Sequence, residues 1–304
     1  MKDELSPNVA TVSRGGLRLL CSAALLAALS ALSHTHMHTL STLSFSAANL
    51  LGFFALVKVT NQLAIHLPRP LKRLIHWGRA LTFECLGLLV VALLRLASLR
   101  KEGKPSGNST GRPILLVHGY CNHSSVWIYL LRQLAKAGLG PIYTIDLGRP
   151  FHSIREHAEK LQSRINTIQR ETGRSDLALI GHSMGGLVSA VCATTLGTST
   201  DCVIDVITIG SPLQGTHMAR LALGESGREM RRDSKLLIEL AKNINHFPNI
   251  RFHHIASRTD QLVIPSESAL SEDTKRRQFI LEDIGHASML FSPRVAAKLI
   301  EWLQ

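Results

Sequence analysis

The run Gly181-His182-Ser183-Met184-Gly185-Gly186 constrains this chain more than any other stretch. Upstream, Leu177-Ala178-Leu179-Ile180 is a short apolar run, the pattern of a strand buried on both faces. Downstream, Leu187, Val188, Val191 and Cys192 recur at helical spacing, so a helix begins close to the serine. A strand that passes directly into a helix bends tightly, and Gly181 and Gly185 omit the side chains that would clash there. The expected geometry is a nucleophile elbow, with Ser183 Oγ lifted above the sheet and the next backbone N–H groups at a helix N-terminus. The same six letters inside a loop would be an ordinary glycine-rich turn. The strand on one side and the helix on the other favour the elbow.

A serine hydroxyl is a weak nucleophile and needs a base, an acid that orients the base, and donors for the oxyanion. After an elbow of this kind the acid and then the histidine are expected, in that order. Ile255 to Pro265 has the form of a strand end followed by a loop, and Asp260 stands there as the candidate acid. A lone loop aspartate is as readily a helix cap or a solvated charge. Glu282 and Asp283 are rivals, but they lie too close in sequence to the histidine to fit the order. After the strand-like Gln278-Phe279-Ile280-Leu281, the run Ile284-Gly285-His286-Ala287 offers His286 as general base. Among 15 histidines, its position singles it out. One oxyanion donor is expected from the N–H of Met184. The other is expected from the N–H of Tyr120, in the His118-Gly119-Tyr120 loop that ends the strand Pro113 to Val117. His118 reads as a residue that ties that loop down.

The blocks His118-Gly119-Tyr120, Gly181 to Gly186, Gly210-Ser211-Pro212-Leu213-Gln214-Gly215-Thr216, Asp260 and Gly285-His286 resemble the α/β-hydrolase superfamily. Within it they look like bacterial triacylglycerol lipases and esterases, with a wider likeness to lipid deacylases that share the Gly-Ser-Pro turn. The resemblance covers about residues 112–304 and implies an α/β-hydrolase fold: a mostly parallel sheet with helices on both faces. It also implies a Ser183-His286-Asp260 triad acting on lipid or other acyl esters, without a cofactor. Two departures stand out. Leu213-Gln214 replaces the residues usual in the Gly-Ser-Pro turn, and no aspartate pair matches the calcium site of some secreted lipases, so no metal is expected.

Composition divides the chain into an apolar region over 1–100, a linker over 101–111 and a catalytic domain over 112–304. Leu17–Ser33, Leu43–Val59 and Leu81–Leu99 are each near the lower end of the roughly 17–25 residues that span a hydrocarbon core. Two or three membrane helices are therefore expected before the catalytic domain, the third segment being the most continuous. The first segment, preceded by Arg14 and Arg18, also has the form of a signal peptide. The expected location is a membrane, the bacterial inner membrane. The basic residues give conflicting answers about which side the catalytic domain faces. Between Gly215 and Asn249 there is room for two helices. The second, with Leu236, Leu237, Leu240, Ala241 and Ile244 on one face, reads as core, with a flap as the alternative.

Lysine and arginine number 34 against 22 acidic residues, a net charge of +12 that suits anionic lipid headgroups. No nucleic-acid-binding motif accompanies the charge, so a nucleic-acid partner is not expected. His34, His36 and His38 read as a polar turn, since no cysteine or carboxylate cluster joins them. The five cysteines lack metal or disulfide spacing and are expected to be free thiols. The expected activity is a membrane-associated lipase or esterase. Thioesterase, phospholipid deacylase and acyltransferase are alternatives of the same chemistry, and an inactive membrane scaffold is an alternative of another class.

Overall fold

The computed structural model describes residues 68–97, 105–195, 203–247, 250–271 and 277–304. By contact density the chain divides into two units, Met1–His66 and Leu67–Gln304, and every described residue lies in the second. The apolar segments Leu17–Ser33 and Leu43–Val59 therefore fall outside the described residues.

Six strands form one parallel sheet in the order β2-β1-β3-β4-β5-β6. They are β1 (Ile114–Val117), β2 (Ile142–Ile145), β3 (Leu177–His182), β4 (Val203–Ile209), β5 (Arg251–Ser257) and β6 (Arg277–Leu281). β1, β2 and β3 are buried along their whole length, which is why they read as unbroken apolar runs without alternation. Their side chains still divide by parity: Leu115 and Val117 enter one core, Ile114 and Leu116 the other.

Helices cover both faces: α1 (Arg69–Ala97), α2 (Ile128–Lys136), α3 (Ile154–Thr172), α4 (Met184–Thr195), α5 (Gly224–Glu229), α6 (Lys235–His246) and α7 (Pro293–Leu303). The first core takes α3, α4 and α6, through residues such as Leu161, Val188 and Leu240. The second takes α2 and α7, through Leu130, Leu134, Val295 and Leu299. Local chemistry sets the helix ends. Ser153 Oγ accepts from Arg155 N at 3.1 Å to start α3, and Gly173 ends it at φ 67°. Ser292 caps α7, with Pro293 in its first turn. Leu236, Leu237 and Leu240 are buried, so α6 is a core helix and the flap alternative does not apply to it. Ser106, in the stretch expected to be linker, pairs with the edge strand β2: its N–H donates to Ile142 O at 3.0 Å and its carbonyl accepts from Ile142 N at 2.7 Å.

The expectation that Leu81–Leu99 crosses a membrane needs correction. Among the described residues, no helix is long and apolar enough to do so. Most of the segment lies in α1, whose buried stripe of Ala80, Glu84 and Leu94 turns inward. There Arg79 pairs with Asp283 at 2.9 Å, and Arg95 donates to the Cys121 carbonyl at 2.6 Å. A charged stripe used for tertiary contacts makes this a docked helix.

Candidate active site

Strand order reverses between β1 and β3, so the crevice at their C-terminal ends is where a ligand site forms in a sheet of this kind. Ser183 sits at that point, between the last residue of β3 and the first of α4. Its φ is 57°, the left-handed region that a residue with a Cβ seldom occupies. The bend is held by Ser183 N donating to Ile209 O at 2.8 Å and by Gly186 N donating to Ser183 O at 3.0 Å. It requires glycine nearby: a Cβ at Gly185 would lie 2.2 Å from the Val117 carbonyl oxygen. The predicted elbow is present.

His286 and Asp260 meet across loops that follow β6 and β5. His286 Nδ1 lies 2.8 Å from Asp260 Oδ2, and both side chains are almost fully buried. The other carboxylate oxygen, Oδ1, accepts from Leu262 N and Val263 N, each at 2.8 Å. Two backbone donors and an imidazole thus fix one carboxylate. Burial is the largest influence on His286 and pushes its pKa down. The charge and hydrogen bond of Asp260, with the charge of Glu84, outweigh it, and the net shift is upward. The rivals are engaged elsewhere: Glu282 with Arg258 at 3.0 Å, and Asp283 with Arg79 at 2.9 Å and Arg294 at 2.6 Å.

Short contacts tie this pair to the elbow. The ring of His182, the residue before Ser183, lies 4.7 Å from the His286 ring, and its Nε2 is 3.2 Å from the His286 carbonyl oxygen. Burial, then the neighbouring His286, holds the His182 pKa well below the usual histidine value, so it is a neutral wall of the site. A Cβ at Gly210 would lie 3.2 Å from Asp260 Oδ2 and 3.3 Å from His286 Nδ1. Gly210 follows Ile209, the residue whose carbonyl holds Ser183 N.

The loop after β1 lies against the same serine. A Cβ at Gly119 would lie 2.9 Å from Ser183 Cβ. Neither the Tyr120 nor the Met184 backbone N–H has a hydrogen-bond acceptor among the described residues. His118 anchors this loop as expected. Its Nε2 accepts from Leu147 N at 3.0 Å, its Nδ1 lies 2.9 Å from the Gly119 carbonyl, and burial lowers its pKa to about 4. Cys121, next along, is a second non-glycine residue at positive φ, 54°. Tyr120 Oη donates to Leu223 O and accepts from Leu223 N, both at 3.0 Å, and its ring lies 6.0 Å from that of Phe151. Leu223 and Phe151 are exposed there.

One buried charged position beside the site escaped the sequence reading. Glu84 of α1 is buried, and its Oε1 and Oε2 accept from Ala287 N at 2.9 Å and Ser288 N at 3.1 Å, directly after His286. A lone carboxylate inside an apolar segment was the available signal, because a buried charge needs a partner. Among the described residues, Cys85 and Cys121 are free thiols, and Cys192 Sγ donates to Gln162 Oε1 at 3.5 Å.

Comparison with known proteins agrees with this architecture. The PGAP1-like alpha/beta domain family matches residues 143–279. A triacylglycerol lipase from Burkholderia plantarii is 27% identical over 146 residues, 43% of this chain and 40% of that protein, so the chain spans about two fifths of that relative's length. Among solved structures, the mature lipase BlEst2 of Bacillus licheniformis superposes with a TM-score of 0.57 at 17% identity, covering 67% of this chain and 97% of that one. A monoacylglycerol lipase from Paleococcus ferrophilus gives 0.51 at 18% identity, with 67% and 97% covered. Sheet order, elbow and relatives coincide: this chain has an α/β-hydrolase fold and is similar to lipases and esterases.

Proposed function

We propose that the protein is a membrane-associated serine hydrolase that cleaves carboxylic esters of lipids. His286, oriented by Asp260, removes the Ser183 proton as Oγ attacks the ester carbonyl. The N–H groups of Tyr120 and Met184 take up the negative charge of the tetrahedral oxygen. The alcohol leaves with the proton held by His286, and water then releases the acid from the acyl-enzyme by the same steps. The observation that carries this reading is the 2.8 Å pairing of His286 with Asp260, with the His286 ring 4.7 Å from that of His182, the residue before a serine held at positive φ. The upward shift at His286 suits a group that must hold a proton in the transition state. The two N–H groups without acceptors support the oxyanion assignment.

An apolar acyl group is favoured by the exposed Leu223 and Phe151 beside the Tyr120 side chain. Membrane association is favoured by the apolar runs at 17–33 and 43–59 and by the exposed Leu74, Trp77, Leu81, Leu89 and Leu93 of α1. A fluorophosphonate probe tests the serine chemistry: the detergent-purified wild type takes the label, and Ser183→Ala does not. A panel of p-nitrophenyl esters with emulsified triglyceride tests the substrate class. Turnover confined to short soluble esters removes lipids from the proposal. Recovery of the protein in a high-speed supernatant, without detergent, removes the membrane.

A further inference from the structure

The turn that carries the base has a gap in its own capping. His286 occupies the N-cap position of the 3-10 turn Ala287–Phe291, yet its side chain makes no capping hydrogen bond. At that position a Ser, Thr, Asp or Asn would ordinarily accept from the first free N–H groups. The imidazole is not available for this, because it is committed to Asp260 at 2.8 Å. The missing acceptor arrives from 203 residues upstream: Glu84 of α1 takes the N–H groups of Ala287 and Ser288, one on each carboxylate oxygen. Both chains are shaped for the approach. A Cβ at Gly285 would lie 2.5 Å from Glu84 Oε2, and a Cβ at Gly87 would lie 3.0 Å from Ser288 N.

We infer that Glu84 is a positioning residue for His286, its buried carboxylate fixing from α1 the turn that holds the base in place. The inference rests on the ester-hydrolase reading above. α1 also reaches the loop that follows β1, through Arg95 and the Cys121 carbonyl at 2.6 Å, so one helix touches both the base loop and the oxyanion loop. The charged and titratable groups that face His286 are Asp260 from the loop after β5, His182 from the end of β3, and Glu84 from α1. Asp260 and Glu84 both favour the imidazolium, and burial opposes it.

A helix that merely docks and a helix that positions the base differ in what they change. Full-length wild type, Glu84→Gln, Gly87→Ala and, as a docking control, Arg79→Met are compared. The measurements are thermal melting, kcat and KM on p-nitrophenyl butyrate, and the pH dependence of fluorophosphonate labelling. Glu84→Gln keeps the shape but loses the charge and one of the two acceptors. It is expected to lower kcat about 10-fold with KM within about twofold. It is also expected to move the labelling inflection down by about half a pH unit. Gly87→Ala keeps the charge and crowds the same turn, so kcat falls while the inflection stays. Arg79→Met breaks another tether of α1, lowering the melting temperature without moving the inflection. A folded Glu84→Gln with wild-type inflection and kcat overturns the inference and leaves the proposed function standing. If Glu84→Gln does not fold, an unchanged kcat in Gly87→Ala overturns it. A folded wild type that takes no label overturns this inference and the proposed function together.

Discussion

Ser183 pays for its exposure with a φ of 57°, a conformation that costs about 1 kcal/mol or more for a residue with a Cβ. Such strain persists only where surrounding bonds hold it, and here the Ile209 carbonyl and the α4 N-terminus do so. Asp260 is held in the same way, by two backbone donors and one imidazole. Asp260→Asn keeps the shape but favours the wrong imidazole tautomer, and kcat is expected to fall about 10³–10⁴-fold with little loss of folding. The pH profile gives a second check. In the proposed mechanism His286 works when neutral, and its pKa is raised, so kcat/KM in the wild type should climb through an inflection above the usual 6.5. Without the carboxylate, burial dominates and the inflection should move down. Measuring kcat/KM from pH 5 to pH 9 in both proteins tests the direction.

Among the elements, the elbow was legible because β3, the glycines and α4 are contiguous in sequence and the bend leaves few alternatives. Gly185→Ala tests it. The added Cβ would meet the Val117 carbonyl at 2.2 Å, so serine labelling should be lost and stability should drop by about 1–3 kcal/mol or more. α6 was legible as core from its apolar face. Leu240→Ala should cost about 2–5 kcal/mol in chemical denaturation, a penalty that a mobile flap would not show. α1 was misread for a physical reason. Length and apolarity describe the solvent a helix prefers on average, whereas Glu84 and Arg79 state what it touches. Those two side chains find partners at 287, 288 and 283, which no local pattern reports.

Across the whole molecule, the site end of the sheet is balanced by a charged cluster elsewhere on β4 and β5. Buried Asp205 accepts from Arg112 at 2.5 Å, from Arg251 at 2.8 and 2.7 Å, and lies 2.8 Å from His253 Nε2. Burial pushes its pKa up, but the hydrogen bond from His253 and the two guanidinium groups hold it well below the usual 3.8. A carboxyl depressed in the folded state adds stability that is complete above its unfolded pKa and fades as the pH falls toward the folded value. Wild-type stability should therefore decline from about pH 5 downward, and Asp205→Asn should flatten that decline. At neutral pH, Asp205→Ala should cost about 3 kcal/mol, because it leaves buried partners without their counter-charge. Urea melts at pH 7 and pH 4 separate the two effects.

Sequence alone determined the order of strands and helices after residue 112, the serine at the bend, and the loops bearing residues 120, 260 and 286. Each of these rests on neighbours within about a dozen positions, where periodicity and turn chemistry act directly. Only the tertiary structure decided that the imidazole of His286 meets Asp260 and lies beside the ring of His182, that Asp283 belongs to Arg79 and Arg294, and that α1 folds onto the site. Those contacts join residues far apart in the chain, and parallel strands are connected only through crossovers, so their meeting point is fixed by how the layers pack.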